Sequence, residues 1–447
     1  MATSPDLLNA LATGSRNSAE LQARLGVSQP TISRLVRAAG PSVLATGRAR
    51  TTRYSRRRAI PEIGDDLPLY RVDPEGQVHR CGHLYPLAAG EFGCGFESRA
   101  PELYPGLPWF LQDMRPQGFM GRAFAQHFAT RLRLPPRLPD WNDDAHLTAM
   151  ALFGDDLTGN LIVGDTSLER FYQRALTMDA IPEDGRDTAY PRLAESFLDE
   201  QPGSSAGGEQ PKFTTRVLQP DGVRRAVIVK FSPTGTDAAA RRWRDLLSAE
   251  HAALSLLREQ GVPAANSRLL DAGGRLFLEV ERFDRCGDLG RRGLLSLAAL
   301  DDHYVGRRRS WTDTADHLVQ AGLISQDEAR LTRLLDTFGA LIANTDRHLG
   351  NLSLFADNFA HSLAPAYDML PMAYRPTDQG EVRAVEFRPP TPTATNAEVW
   401  PQALQMALAY WERLAVTAEI SEGLRQIAAQ NAALLVKLQR LGAPVTG

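Results

Sequence analysis

The sequence predicts an α+β fold in which a small basic helical module precedes a strand-rich half and then a helical half. Three observations carry the prediction. Residues 18–39 repeat apolar side chains at helical spacing on both sides of a glycine turn. From Leu69 the pattern turns to strands, to which residues 205–285 return, and from Leu294 onward the apolar period is that of helices. With 447 residues, 43% hydrophobic and 23% charged, the chain can fill two or three cores, and no disordered or fibrous class is needed.

No apolar run is long enough to cross a bilayer, and MATSPDLLNALATGSRNSAEL lacks the basic-then-apolar order of a secretory signal, so a cytoplasmic protein without a membrane partner is expected. Three cysteines, Cys81, Cys94 and Cys286, cannot frame a chain of this size and read as free thiols in a reducing compartment.

The first module is marked by charge. Residues 1–60 carry arginines at 16, 24, 34, 37, 48, 50, 53, 56, 57 and 58 against Asp6 and Glu20, a balance of +8 that leaves −11 for the rest. One end of the chain is therefore suited to a polyanion. Within it, SAELQARLGVSQPTISRLVRAA (18–39) reads as helix, tight turn and helix, with Ala19, Leu21, Leu25, Val27, Ile32, Leu35 and Val36 as the buried set. Ser28 can cap the second helix, whose first turn tolerates Pro30. SVLAT and TTRYSRRR then read as two strands joined by a basic tip, completing a winged helix-turn-helix over 1–60. Gln29, Thr31, Ser33, Arg34 and Arg37 face outward from the second helix, as residues that read base edges in a major groove would. Arg48 and Arg50 at the tip would meet phosphates or the minor groove. The alternative is a helical domain whose basic face serves packing or dimerisation.

Ile60–Leu67, with Pro61 and Gly64, reads as a linker. LYRV, a DPEG turn and QVHRCGHLYPL predict a hairpin, and NLIVG a further strand. His79, Cys81, His83 and Cys94 could be written as a zinc site, but H-x-C-x-H is not the C-x2-C spacing of a zinc knuckle, and ordinary hairpin side chains are favoured. A helix and loop follow over 182–203, strands with one helix over 205–285, and a terminal helix carrying Leu424, Ile427, Leu434, Leu435, Leu438 and Leu441 near one face. Strand-rich then helical is the order of a two-lobed kinase.

Three segments carry chemistry. In SSAGGEQPKF (204–213) small residues around Gly207 and Gly208 leave backbone amides open to phosphate oxygens, although a Gly-Gly pair alone is more often just a turn. In AVIVKF (226–231) Lys230 lies in an apolar strand, where it either holds an anion or points to water from an edge. Glu250 in the next helix is its candidate ion-pair partner. In LIANTDRHLGNLSLF (341–355) Asp346 and Asn351 are five positions apart, the spacing of a catalytic base and a magnesium ligand in protein kinases. Asp368, in PAYDMLPM, supplies a second hard oxygen ligand. Each alone is explained by a turn or a cap; the order glycine loop, strand lysine, Asp-x4-Asn, Asp is not.

SSAGGEQPKF, VERFDR (280–285), NTDRHLGNLSLF and PAYDMLPM resemble the HipA family, the kinase-type toxins of bacterial toxin–antitoxin modules, over residues 65–447. LPWFLQDMRPQG (107–118) and GDDLTGNLIVG (154–164) resemble its N-terminal subdomain. With a helix-turn-helix in front, the chain is similar to the YjjJ subgroup. The resemblance implies a HipA-like N-terminal subdomain at 65–200, a kinase N-lobe at 201–290 and a helical C-lobe at 291–447. It implies an ATP- and Mg2+-dependent protein Ser/Thr kinase with Asp346 as catalytic Asp and Asn351 and Asp368 as metal ligands. The nucleotide would meet Ala206, Gly207, Gly208, Lys212, Lys230, the hinge residues Glu281 and Phe283, and His348 and Tyr367. Ser205, with Ser204 beside it, would be the autophosphorylated serine, whose phosphate shuts the enzyme down. Its protein substrate would be a translation factor such as an aminoacyl-tRNA synthetase. Two departures stand out: the usual members have no N-terminal winged helix, so that DNA binding would here be fused in cis, and LLSLAALDDHYVG (294–306) lacks the family's acidic-Phe-Cys pattern. A homodimer would suit a palindromic operator. The competing readings are a DNA-binding transcriptional regulator whose kinase-like part only senses a nucleotide, and a small-molecule kinase.

Overall fold

The computed structural model describes residues 2–97, 99–177, 179–199, 210–356 and 361–441. The chain divides into two compact units, one of residues 1–116, 128–178 and 289–291, the other of 117–127, 179–288 and 292–447.

The first unit begins with α1 (Ser4–Ala10), β1 (Arg16–Asn17), α2 (Ser18–Leu25), α3 (Gln29–Ala39), β2 (Val43–Thr46) and β3 (Arg53–Arg56). The three helices close on Leu7, Leu11, Leu21, Ile32 and Leu35. α2 is opened by a reciprocal cap between Asn17 and Glu20 and stopped by Gly26 in the left-handed conformation, which sets the tight turn to α3. β1 and β2 flank β3 in a three-stranded antiparallel sheet. Ala19 is exposed rather than buried, because it sits on the outer side of the first turn of α2; α1, which the sequence reading missed, supplies the core instead. Ser28 occupies the N-cap of α3 without a side-chain cap bond, its hydroxyl meeting that of Thr31 at 3.2 Å.

The rest of this unit is an antiparallel sheet in the order β7–β6–β5–β4–β8, from β4 (Leu67–Val72), β5 (Val78–Pro86), β6 (Phe92–Phe96), β7 (Glu102–Tyr104) and β8 (Leu161–Val163). α5 (Asp143–Phe153) and α6 (Asp165–Thr177) accompany it, while α4 (Gly118–Leu132) is divided between the units. Ile60–Leu67 is not a linker: Ile60 and Leu67 are buried in the sheet's core, and Ile60 pairs with Gly64 across a closed turn. The N-terminal module is accordingly docked. Ser15 donates to Glu91 at 2.9 and 3.1 Å, and Arg58 grips Asp144 through two bonds of 2.6 Å and also reaches the Leu87 carbonyl. A Cβ on Gly93 would stand 2.2 Å from the Leu44 side chain, so a larger residue there would displace that leucine. His79 pairs with Asp73, His83 with Asp66, Cys81 with the Leu69 carbonyl, and Cys94 lies in the core, so the four residues written as a zinc site are separately engaged.

The second unit starts ahead of the expected break at 200, because α7 (Arg186–Asp199) packs on its sheet. β9 (Lys212–Leu218), β10 (Arg224–Phe231), β11 (Ser267–Ala272) and β12 (Arg275–Glu281) form an antiparallel sheet in the order β11–β12–β10–β9. Alternation along β10 sends Val227, Val229 and Phe231 to the face covered by Tyr190 and Ala194 of α7. The opposite face, with Leu278 and Val280, packs on Leu247 of α8 (Ala238–Glu259), and Lys230, paired with Leu278, points the same way. The helical part holds α9 (Leu297–Leu300), α10 (Trp311–Gln320), α11 (Gln326–Leu341), α12 (Trp400–Val416) and α13 (Glu422–Leu441), with a small sheet of β13 (Leu294–Ser296), β14 (Ser353–Phe355) and β15 (Ser362–Leu363). Trp411, fully buried, donates its indole N–H to the Leu341 carbonyl at 3.0 Å and so ties α12 to the end of α11, where the polar loop begins.

Candidate functional site

Lys230 projects from β10 onto the α8 face and donates to both carboxylate oxygens of Glu250, at 2.7 and 2.8 Å. It also bonds Asp368. The Lys230 and Glu250 side chains are almost wholly buried, and the Asp368 side chain is 27% exposed. Burial alone would depress the lysine's pKa, but the carboxylates of Asp368 and Glu250 outweigh it and raise the value. Burial raises Glu250, with Lys230 partly offsetting it. Asp368 is pushed up by burial too, yet Lys230 and then Lys212 overcome this and hold it below the usual carboxylate range. Lys212 stands directly opposite Lys230 across the β9–β10 pair, so two cations share one face of the sheet. Like charges so placed repel unless anions lie between them.

The polar loop after α11 is organised by a residue the sequence reading overlooked. Asn344, 1% exposed, accepts the Asp346 N–H at 3.0 Å and donates to the Asp368 carbonyl at 3.2 Å, joining the two segments. Its Asx-type bond two residues ahead is a recognisable turn signal. Asn351 donates its side-chain amide to the Asp346 carbonyl at 2.9 Å, which leaves its own oxygen uncommitted by that bond. The Asp346 carboxylate is exposed and engages no side chain among the described residues. Asp368 has φ of +53°, a left-handed conformation uncommon outside glycine and asparagine, and here it aims the carboxylate at Lys230.

The other expected residues fall as follows. His348 caps the turn Leu349–Asn351, its ring accepting from Gly350 N–H at 3.1 Å, and its carbonyl accepts the Trp311 indole at 2.9 Å. Tyr367 donates to the Gly350 carbonyl at 2.8 Å, and Phe283 packs against it with ring centres 5.7 Å apart. Glu281 has its amide on the Asn266 carbonyl and its carboxylate on Arg225 and Asn266, so its N–H is not open to a ligand. Ser204, Ser205, Ala206, Gly207 and Gly208 lie outside the described residues. In the N-terminal module Gln29, Ser33, Arg34, Arg37, Arg48 and Arg50 are exposed and Thr31 is half-buried. Arg53 and Arg57, by contrast, are turned inward to Ser15 and to Asp65 and Asp66.

A model of the YjjJ-like toxin middle domain matches residues 63–172, and one of the HipA-like C-terminal domain matches 204–436. The chain is 37% identical over 435 residues to "Toxin YjjJ" of Escherichia coli (strain K12), covering 95% of each. The chain belongs to the HipA-like toxins of the YjjJ type. Among solved structures, this HipA-like chain matches one from the Shewanella oneidensis MR-1 toxin–antitoxin complex of HipA, HipB and operator DNA. The match has a TM-score of 0.50 and 15% identity and covers 84% of this chain and 97% of that one, which is a likeness of fold. Among the described residues no helix is long and apolar enough to cross a membrane.

Proposed function

We propose that this chain is an ATP-dependent protein Ser/Thr kinase, acting as a toxin and carrying its own operator-binding winged helix at residues 1–60. The observation that carries the reading is Lys230 bridging Glu250 and Asp368, in the same unit as an exposed Asp346 whose carboxylate bonds no side chain among the described residues. A lysine held by a helix carboxylate is in position to take nucleotide phosphates, with Lys212 adding charge from the facing strand. Asp346 would accept the proton of the substrate hydroxyl as its oxygen bonds the γ-phosphorus and the bond to ADP breaks. Asn351 and Asp368 offer oxygen donors that suit a hard dication, and they would hold magnesium, which when bound neutralises phosphate charge.

For the N-terminal module, the exposed Arg34 and Arg37 on α3, which follows α2 across the Gly26 turn, and the exposed Arg48 and Arg50 support DNA binding. The test is incubation of the full chain with labelled ATP and magnesium. Phosphate transfer to the chain or to an added protein, absent in Asp346→Asn, is expected. ATP binding without transfer in the wild type would instead indicate a nucleotide-sensing regulator.

A further inference from the structure

We propose that Arg307, Arg308 and Arg309 form an anion-recognising platform beside the catalytic loop, which selects an acidic segment of the protein substrate. This inference rests on the kinase reading above. It starts from LDDHYVGRRRS (300–310), in which three arginines follow the end of the stretch 294–306 that departs from the family pattern.

A run of arginines on a loop is ordinarily a solvated surface, but this one is built. Asp301 is fully buried and accepts the Arg307 and Arg308 amides at 3.1 and 2.8 Å and the Thr314 hydroxyl at 2.9 Å. Residues Asp301–Val305 form a π-turn, an uncommon geometry that recurs at functional sites. The chain then passes through left-handed conformations at Gly306 and at Arg308, with φ of 69° and 46°. The second is unfavourable for a residue with a long side chain and holds because Asp301 grips its amide and Asp302 its guanidinium, at 2.7 and 2.8 Å. A buried carboxylate and a strained residue together present three guanidiniums to solvent, with side chains 49%, 73% and 68% exposed.

The platform is fastened to the catalytic loop. Trp311, 1% exposed, lies two residues after Arg309 and donates to the carbonyl of His348, itself two residues beyond Asp346. Arg309 and Asp313 wall a polar cavity of about 430 Å³ that is also lined by Arg347, the neighbour of Asp346. The other acids of that cavity are engaged: Asp336 by Arg347 and Thr312, Asp316 by Arg333. Arg307 and Arg309 share the single carboxylate of Asp313 at 4.0 and 3.9 Å, the outer limit of an ion pair. Two forked guanidiniums are therefore available to carboxylates, the geometry they match best. Asp302, Asp313 and Asp316 interrupt the positive charge, so this surface is not the continuous basic track that follows a phosphate backbone.

The experiment measures binding of labelled Ser-centred peptides with acidic, neutral or basic flanks to the full chain by fluorescence anisotropy, with an RNA oligonucleotide as competitor. The acidic peptide is expected to bind about tenfold or more tighter than the neutral one, and Arg307→Glu/Arg309→Glu to remove that preference and favour the basic peptide. Arg307→Gln/Arg309→Gln with unchanged thermal melting is expected to lose the preference without the reversal. Arg34→Ala/Arg37→Ala is expected to leave acidic-peptide binding intact. Equal binding of the neutral peptide, loss only in the Arg34/Arg37 variant, or tighter RNA binding abolished by the charge reversal would each overturn the proposal. Labelled-ATP transfer is read separately: acidic binding without transfer sinks the kinase reading alone, and transfer without acidic preference sinks the platform alone.

Discussion

Lys230 donates to both oxygens of Glu250 within 2.8 Å, inside an apolar setting that neither charge would occupy alone. Removing Lys230 leaves Glu250 buried and uncompensated, at a cost of about 3–5 kcal/mol. Lys230→Met is expected to lose stability on that scale and to lose phosphate transfer. Lys230→Met/Glu250→Leu is expected to regain most of the stability and none of the activity. Denaturant midpoints beside labelled-ATP assays check both.

Asp346 presents the opposite case. Its exposed carboxylate makes no hydrogen bond or ion pair with a side chain among the described residues, so Asp346→Asn should change stability by less than about 0.5 kcal/mol. Transfer should fall by about 10²-fold or more, while ATP binding is kept. Calorimetric titration with ATP and a thermal melt of the same preparation separate these effects.

The N-terminal arginines divide into exposed and docked ones. Arg34→Ala and Arg37→Ala should each weaken operator binding and lower the slope of log affinity against log salt by about one. Arg53→Ala, whose guanidinium is on Ser15, should leave the slope unchanged. Binding isotherms over a salt series decide.

Arg58 and Asp144 join the module to the sheet with two bonds of 2.6 Å. Asp144→Ala should destabilise that docking by about 1.5–3 kcal/mol, the range for hydrogen bonds to charged groups. Faster amide exchange in α1 to β3, with the four-stranded sheet of the second unit unaffected, is the expected signature.

Burial lowers the pKa of His146 to about 4, and lowers His251 and His361 as well. The folded chain keeps these rings neutral where the unfolded chain takes up protons. The stability they contribute is whole above the unfolded value of 6.5, declines as pH falls and levels off below the folded values. Each contributes a slope of at most about 1.4 kcal/mol per pH unit. Urea midpoints from pH 7.5 down to 5, compared with His146→Gln, would show the slope reduced in the variant.

The strand lysine with its helix carboxylate was legible because both lie in strongly periodic elements, and period fixes which face a side chain takes. α1 was not: seven residues with Pro5 give little periodicity, and only the Thr3–Asp6 cap marks it. Ile60–Leu67 has the composition of a linker, but whether a Pro/Gly stretch is buried depends on contacts far along the chain, here the sheet core beneath Ile60. Asn344 and Trp311 act through partners 24 and 37 residues away, and such pairings leave no trace in local spacing. The Asp346–Asn351 spacing was readable because the loop that joins them is local.

The left-handed backbone of Asp368 restricts what that codon can encode. Alanine there would combine a backbone penalty with the lost carboxylate, so a failing alanine allele would not tell chemistry from folding. Asparagine keeps the shape and removes the charge. A library randomised at this codon and selected only for soluble protein should return glycine, asparagine and aspartate, and a further selection for toxicity should leave aspartate alone.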